Sequence, residues 1–499
     1  MQKKSLLIIA LTTMLGLTAC GGGDTVVDQE LPRDDPSSEV SFEFWHCLGH
    51  EKTKNLTKVA EAFNTKYAGK YKVVLKHPAG DYSSLHSTLK TKMSSGEVPA
   101  LSMGYPDSFS EYISKRMGDS FLLRLTNYIN DPDFGYSAEE LADFVPGYYN
   151  EGTNYQFEGV WSMPMYKSTE VMYYNANYFA GDNEPNKNKF KGNADYTEKV
   201  NDASGADATD EALKDLKDWV DAHGGYTYAV PETWDEAIAL SRQMLADRTR
   251  ENVTGEAFYP FGYDSDANLL ITQMEQRGIP YTVNDEASRN DYREHFKFNN
   301  PEAKALVSEI IGYLNENVLF TKNSCSDYTN VYFTKGRCAF TVGSTGGSSY
   351  NVSSNFRVKL APVPYKNQRK YIQQGPSICF FDCGDAYKQK GAWLFYKEFA
   401  DASNNAKVAL ENSYDPVRIS SYTTPEYAAW TALEGSGLKY DIPAMTATLK
   451  NYYMTSPVFI GSSTARDEIG NITSYIYNSE YTVDEAFNTA ISHCYTAAK

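Results

Sequence analysis

Two short hydroxyl-bearing runs, Ser168-Thr169 and Ser344-Thr345-Gly346, fall at strand-to-loop junctions. Small hydroxyls and free backbone N–H groups at such places can hold ligand hydroxyls or a phosphate. Arg466, in the run SSTARDEIG, can give a charge-assisted, bidentate bond to phosphate oxygens. Tyr82 and Tyr414 can flank the same ligand with ring faces or hydroxyls. Each of these residues also has an ordinary structural use, as a cap, a packing ring or a surface cation. The chemistry is that of binding. There is no GxSxG elbow, no CxxC and no HExxH. His46 and His50 stand four apart, but Cys47, Leu48 and Gly49 between them mark a strand-to-helix junction and not a metal-ligating face. Neither a metal nor a cofactor is expected. The many Asp and Glu leave a glycosidase-type carboxylate pair open as a minority reading.

The start of the chain is an export signal. Lys3 and Lys4 precede an apolar run from Leu6 to Leu17, then Leu17-Thr18-Ala19-Cys20 and three glycines. The run is shorter than the roughly 20 apolar residues of a permanent span. Leu-Thr-Ala-Cys resembles a bacterial lipobox, which implies cleavage after Ala19 and acylation of Cys20. The expected location is the extracytoplasmic face of the cell membrane, held by lipid alone. Residues 20–39 are rich in Gly, Asp, Pro and Ser and read as a flexible linker.

A net charge of −17 argues against nucleic-acid partners and against adhesion to anionic lipid headgroups. It leaves room for an anionic ligand, since one arginine and a few amides can hold an anion inside an acidic protein. The 39 tyrosines suit sugar clefts, although most will only pack. With Cys20 lipidated, six cysteines remain, and their spacing specifies no disulfide connectivity. Cys379 and Cys383 lie in an apolar strand-like run and read as buried thiols.

The hydrophobic pattern alternates strand and helix. Strands are expected at 40–45, 71–75 and 100–105, with helices at 54–67 and 82–95 between them. This order means a parallel sheet with covering helices. Further strands are expected within 161–174 and at 339–343, 356–361 and 377–381. Helices are expected after Thr233 and at 269–277, 301–315 and 388–400, and residues 402–499 read as mostly helical. A polar stretch, 181–228, reads as an insertion. The sum is a two-domain α/β chain.

Several motifs in order carry a likeness: FEFWH at 42–46, Gly80-Asp81-Tyr82, GEVPA at 96–100, FVPGYY at 144–149 and PMYKSTEVMYYN at 164–175. GRCAFTVGSTG at 336–346, Gly375-Pro376-Ser377, YDPVRISSY at 414–422 and the segment 456–466 follow. Together they resemble the extracellular solute-binding proteins that serve ABC importers for sugars, and most of all the glycerol-phosphate-binding branch of that family. The likeness runs over roughly 41–490. It implies a periplasmic-binding-protein-like fold with two lobes, a hinge crossed three times and a ligand cleft between the lobes. The implied layout is 41–168 with 344–375 for one lobe and 169–343 with 376–499 for the other. The implied ligand residues are Tyr82, Asp107, Ser168, Ser344, Gly375, Tyr414 and Arg466.

The implied partners are a small sugar or glycerol-phosphate ligand and the transmembrane subunits of an ABC permease, with the protein itself a monomer. The function expected from the likeness is capture of glycerol-3-phosphate or a glycerophosphodiester by lobe closure, without turnover. Two departures bear on the ligand. The relatives carry an acidic residue after the Pro-Ala strand; here Pro106 or Asp107 occupies that place, with Asp107 preferred. Gly262-Tyr263 is followed by Asp264 and not by tryptophan. A neutral di- or oligosaccharide is therefore the alternative ligand, and a surface adhesin of the same fold the remote alternative.

Overall fold

The computed structural model describes residues 29–113, 120–179, 228–250, 257–325, 327–478 and 481–499. The export signal, Cys20, the linker before Gln29 and nearly all of the 181–228 insertion lie outside the described residues.

Twelve strands form two sheets. The first holds β1 (Val40–Trp45), β2 (Tyr71–Lys76), β3 (Leu101–Gly104), β4 (Met163–Pro164) and β11 (Ser377–Phe380), in the order β2-β1-β3-β11-β4. The second holds β5 (Ser168–Asn175), β6 (Tyr259–Tyr263), β7 (Leu319–Thr321), β8 (Cys338–Ser344), β9 (Val358–Ala361), β10 (Tyr371–Gln374) and β12 (Tyr453–Met454). Its order is β12-β10-β5-β8-β6-β7, with β9 also paired to β5. Helices cover both, and each sheet has its own buried core.

Local chemistry explains the helices that carry the site. Helix Tyr82–Ser95 starts because Asp81 accepts the Ser84 N–H at 2.7 Å, and it ends at Gly96 in the left-handed region. Leu85, Leu89 and Met93, four apart, bury one face. Helix Pro301–Asn315 opens with proline at its first position behind an Asn300 cap. Thr233 caps helix Trp234–Arg250 through the Glu236 N–H, while the Glu236 carboxylate accepts the Thr233 N–H.

The lobes divide differently from the sequence-based layout. Residues 378–417 pack in the core of the first sheet, with 42–166, while residues 338–372 pack in the second, with 171–320 and most of 438–498. So 344–375 belongs to the second lobe, not the first, and the stretch from 377 to about 417 belongs to the first, not the second. The physical reason is the strand pairing. Ile378 and Cys379 bond antiparallel to β3, and only then does the chain return to the second lobe. The chain passes between lobes at 166–168, at 374–377 and between Val417 and Leu438.

Linker composition also misled. Residues 29–35 lie on the first lobe as a strap. Leu31 is 3% exposed. Gln29 donates to Asp382, Arg33 pairs with Asp131 and Asp133, and Lys390 donates to the Asp34 carbonyl. One buried leucine and several ion pairs fix a polar stretch that hydropathy alone reads as loose.

The first two crossings run side by side, Gln374 pairing with Ser168. Just before the third, Asp415 exchanges backbone hydrogen bonds of 3.0 and 2.6 Å with Lys167. Gly375 is at φ +93°, and a Cβ there would lie 2.7 Å from the Tyr166 carbonyl oxygen, so only glycine fits. The Lys167 ammonium is wholly buried and donates to Glu151, to the Gly375 carbonyl (3.2 Å) and to Ser377 Oγ (2.9 Å). Burial pushes its pKa down, and Glu151 opposes this. Glu151→Gln would leave that ammonium unpaired and is expected to cost about 3–5 kcal/mol in denaturant unfolding. Adding Lys167→Met to it should recover part of the loss. A double variant no more stable than the single would show that the unpaired charge is not the cause.

Candidate functional site

Between the lobes lies a cleft of about 70 Å³. Tyr105, Pro106, Asp107 and Glu151 line it from the first lobe, and Ile271, Tyr281, Gln373, Gln374, Ser462 and Arg466 from the second. Two helices face each other there. Helix Pro106–Ile113 carries Asp107 in its first turn, and helix Ser462–Tyr477 carries Arg466 one turn in. The lobes touch where Ser462 Oγ donates to the Asp107 carbonyl at 3.3 Å and Lys52 Nζ to the Gly346 carbonyl at 3.1 Å. Sites for small organic ligands run to about 300–1,000 Å³. Loading a small organic ligand into a cleft this narrow therefore requires the lobes to part.

The structure brings the seven sequence-derived positions around one interlobe region. Asp107 and Arg466 line the cleft itself. Tyr82, the first residue of its helix, packs on Tyr105 with ring centroids 4.5 Å apart. Tyr414 packs on Tyr166 at 4.4 Å. Burial pushes the Tyr414 phenol up to about 12, against a hydrogen bond with Tyr82. Tyr414 also lies against Gly346 of the other lobe, where a Cβ would stand 2.5 Å from its hydroxyl. Ser168 Oγ and Ser344 Oγ are 3.4 Å apart at adjoining strand ends. Gly375 is buried, and the Lys167 ammonium takes its carbonyl, so the structure gives it a hinge role.

Arg466 does not project freely. Its Nη2 donates to Asn268 Oδ1, and Asn268 Nδ2 donates to Glu170 Oε1 at 2.6 Å. The other Glu170 oxygen accepts the Tyr263 hydroxyl at 2.6 Å. Glu170 thus fixes which way the Asn268 amide turns, and Asn268 in turn holds the guanidinium. Gln373 and Gln374 are buried, yet Gln373 Nε2 and Gln374 Oε1 have no partner among the described residues. Tyr105, Glu170, Asn268, Gln373 and Gln374 were not singled out from sequence. A carboxylate directly before the apolar and aromatic run Val171–Tyr174 of β5 was the one available signal for Glu170.

A profile of bacterial extracellular solute-binding proteins matches residues 58–435. The chain belongs to that family. No curated protein matches it by sequence. Solved structures share its fold at low identity. The Mycobacterium tuberculosis protein UgpB, solved with glycerophosphocholine, is 15% identical with a TM-score of 0.65, over 92% of this chain and 98% of that one. The cyclic α-maltosyl-1,6-maltose binding protein of Arthrobacter globiformis is 15% identical with a TM-score of 0.62, over 92% and 99%. A maltose/maltodextrin-binding domain from Bdellovibrio bacteriovorus, bound to maltotriose, is 12% identical with a TM-score of 0.64, over 92% and 99%. The two-lobe α/β fold expected from the motifs is the fold of these proteins. Among the described residues no cluster of three or more His, Cys, Asp or Glu is placed to hold a metal, the six described cysteines are free thiols, and no helix is long and apolar enough to cross a membrane.

Burial pushes the Glu170 carboxyl up to about 7, against the hydrogen bonds from Tyr263 and Asn268 and the Arg466 charge. Its folded form holds the proton more tightly than the unfolded chain does. The stability this confers is present at low pH and drains as pH rises from about 4.5 to about 7. The stability of the wild type minus that of Glu170→Gln should therefore fall over that range in urea melts. A flat difference would mean that Glu170 is ionised throughout.

Proposed function

We propose that this chain is the substrate-binding protein of an ABC importer and captures a neutral oligosaccharide by closing its lobes, without turnover. The observation that carries the ligand class is the pair of buried, unpartnered amide groups in the cleft, Gln373 Nε2 and Gln374 Oε1. One is a donor and the other an acceptor, and a sugar hydroxyl is both. A phosphodiester group brings acceptors only, and a glycerophosphodiester offers donors from its glycerol end alone.

The charges support the same reading. Arg466 is already bonded to Asn268, and Asp107 and Asp467 stand near it. An anion would meet those carboxylates on entry, and like charges in a narrow cleft select against it. The tyrosines at 82, 105 and 414 offer ring faces beside the polar groups. A glycerophosphodiester is the second reading. Arg466 in the cleft favours it, and UgpB shows the fold binding one.

Ligand bridging both lobes would stabilise the closed form, because only that form touches it from two sides. A permease would then read the closed shape. The lipobox-like Leu17-Thr18-Ala19-Cys20 supports anchoring by acylation of Cys20. Cys20→Ser should move the protein from the membrane fraction to the medium or periplasm and abolish palmitate labelling.

The function is tested by thermal shift with neutral di- to tetrasaccharides, glycerol-3-phosphate and glycerophosphocholine, since a ligand of the native state raises Tm. A shift with neutral saccharides that is weakened about 10-fold or more by Gln373→Ala supports the sugar reading. A shift with phosphates alone, lost in Arg466→Ala, overturns it in favour of the second reading.

A further inference from the structure

Four strands of the second sheet deliver their ends to one edge. Gln374 of β10 pairs with Ser168 of β5, Glu170 of β5 with Ser344 of β8, and Val342 of β8 with Tyr263 of β6. Gln374, Ser168, Ser344 and Asp264 therefore follow one another along that edge. At about 4.8 Å per strand, the run from β10 to β6 covers about 14 Å. The cleft built on Gln373, Gln374, Asp107 and Arg466 occupies only the β10 end.

At the β6 end stands a second group of unmet atoms. Asp264 follows β6 directly, its N–H donating to the Val342 carbonyl at 3.0 Å. Its carboxylate oxygen Oδ1 is buried and accepts no hydrogen bond among the described residues. Asn351 is 6% exposed and donates from Nδ2 to the Gly347 carbonyl at 3.2 Å, which fixes its amide, and its Oδ1 is also without a partner. The Thr345 hydroxyl, wholly buried, is a third such group. Asp264 and Asn351 converge on Gly343. A Cβ on Gly343 would lie 3.8 Å from Asp264 Cβ and 3.9 Å from Asn351 Nδ2.

Buried acceptors are rarely left unmet, and two on one patch call for a partner that brings donors. Burial pushes the Asp264 carboxyl up to about 6, with Lys322 and hydrogen bonding from Thr329 to the carboxylate opposing, so that Oδ1 is its one unmet oxygen. An entering anion would be repelled by the ionised carboxylate and would find no donor on either oxygen. A hydroxyl-bearing neutral ring supplies the donors without charge.

We propose that Asp264 and Asn351 form a further subsite that binds the hydroxyls of a ring beyond the one held at Gln373 and Gln374, so that the ligand is an oligosaccharide lying along the sheet edge. The proposal rests on the neutral-sugar reading above.

Calorimetric titration of the purified chain with two- to four-unit series of α- and β-linked gluco- and galacto-oligosaccharides tests it. Asp264→Ala and Asn351→Ala are each expected to weaken the longer members of the bound series about 10-fold or more, and the disaccharide less than about 3-fold. Unliganded Tm should hold. Gly343→Ala is a steric probe that the fold has room for, its nearest neighbour being Tyr173 Cε2 at 3.7 Å, and it should give the same length-dependent loss. Equal weakening at every length, or none, with wild-type binding intact, overturns the subsite alone. Failure of the wild type to bind any of the saccharides overturns the sugar reading and the subsite with it.

Discussion

The buried ammonium of Lys167 is the point on which the rest of the structure turns. Its donors are shared among Glu151, the Gly375 carbonyl and the Ser377 hydroxyl. These partners come from the first lobe and from the second hinge crossing, while Lys167 itself sits on the first crossing. A charge this deep is stable only with its partners in place. The two crossings are therefore fixed against each other, and Ser168 and Gln374, the strand ends that begin the cleft, inherit that register. The site is as well placed as the hinge is rigid.

The cleft built on this hinge is rich in acceptors. Its one lining arginine is restrained by a chain of hydrogen bonds that runs through Asn268 to Glu170 and Tyr263. Such a chain gives the guanidinium a direction without leaving it free to gather a phosphate. Glu170 does its work from inside β5, whose other end carries the core tyrosines. One strand thus serves packing at one end and polar orientation at the other.

Much of this was legible in the sequence, for physical reasons that differ by element. Helix Pro301–Asn315 has bounds that match expectation because Asn300 and Pro301 mark its start and Leu306, Ile310 and Leu314 repeat on one face. Strands β1 and β2 alternate clearly. The short strands β6, β7 and β10 have too few residues for a period to show. The lobe layout was misread because Ser377–Phe380 is apolar in either lobe, and only its pairing with β3 decides. The strap at 29–35 was misread because an ion pair about 100 positions away and a hydrogen bond about 350 positions away leave no local trace. Motif order led to Tyr82, Asp107, Ser168, Ser344, Tyr414 and Arg466, which the fold gathers in one region. Glu170 and Asn268, 98 positions apart, acquire their roles only from each other.

The strap changes the length of the leash. With Cys20 acylated, a free chain from Cys20 to Val40 would span at most about 70 Å, at up to about 3.6 Å per residue. Because Gln29 is already fastened to the first lobe, only the nine steps from Cys20 to Gln29 remain, or about 32 Å. For a chain so anchored, the volume swept above the bilayer would shrink about tenfold, and the effective concentration at a permease mouth would rise accordingly. The first lobe would then be the moored half, and the travel of lobe opening would fall to the second.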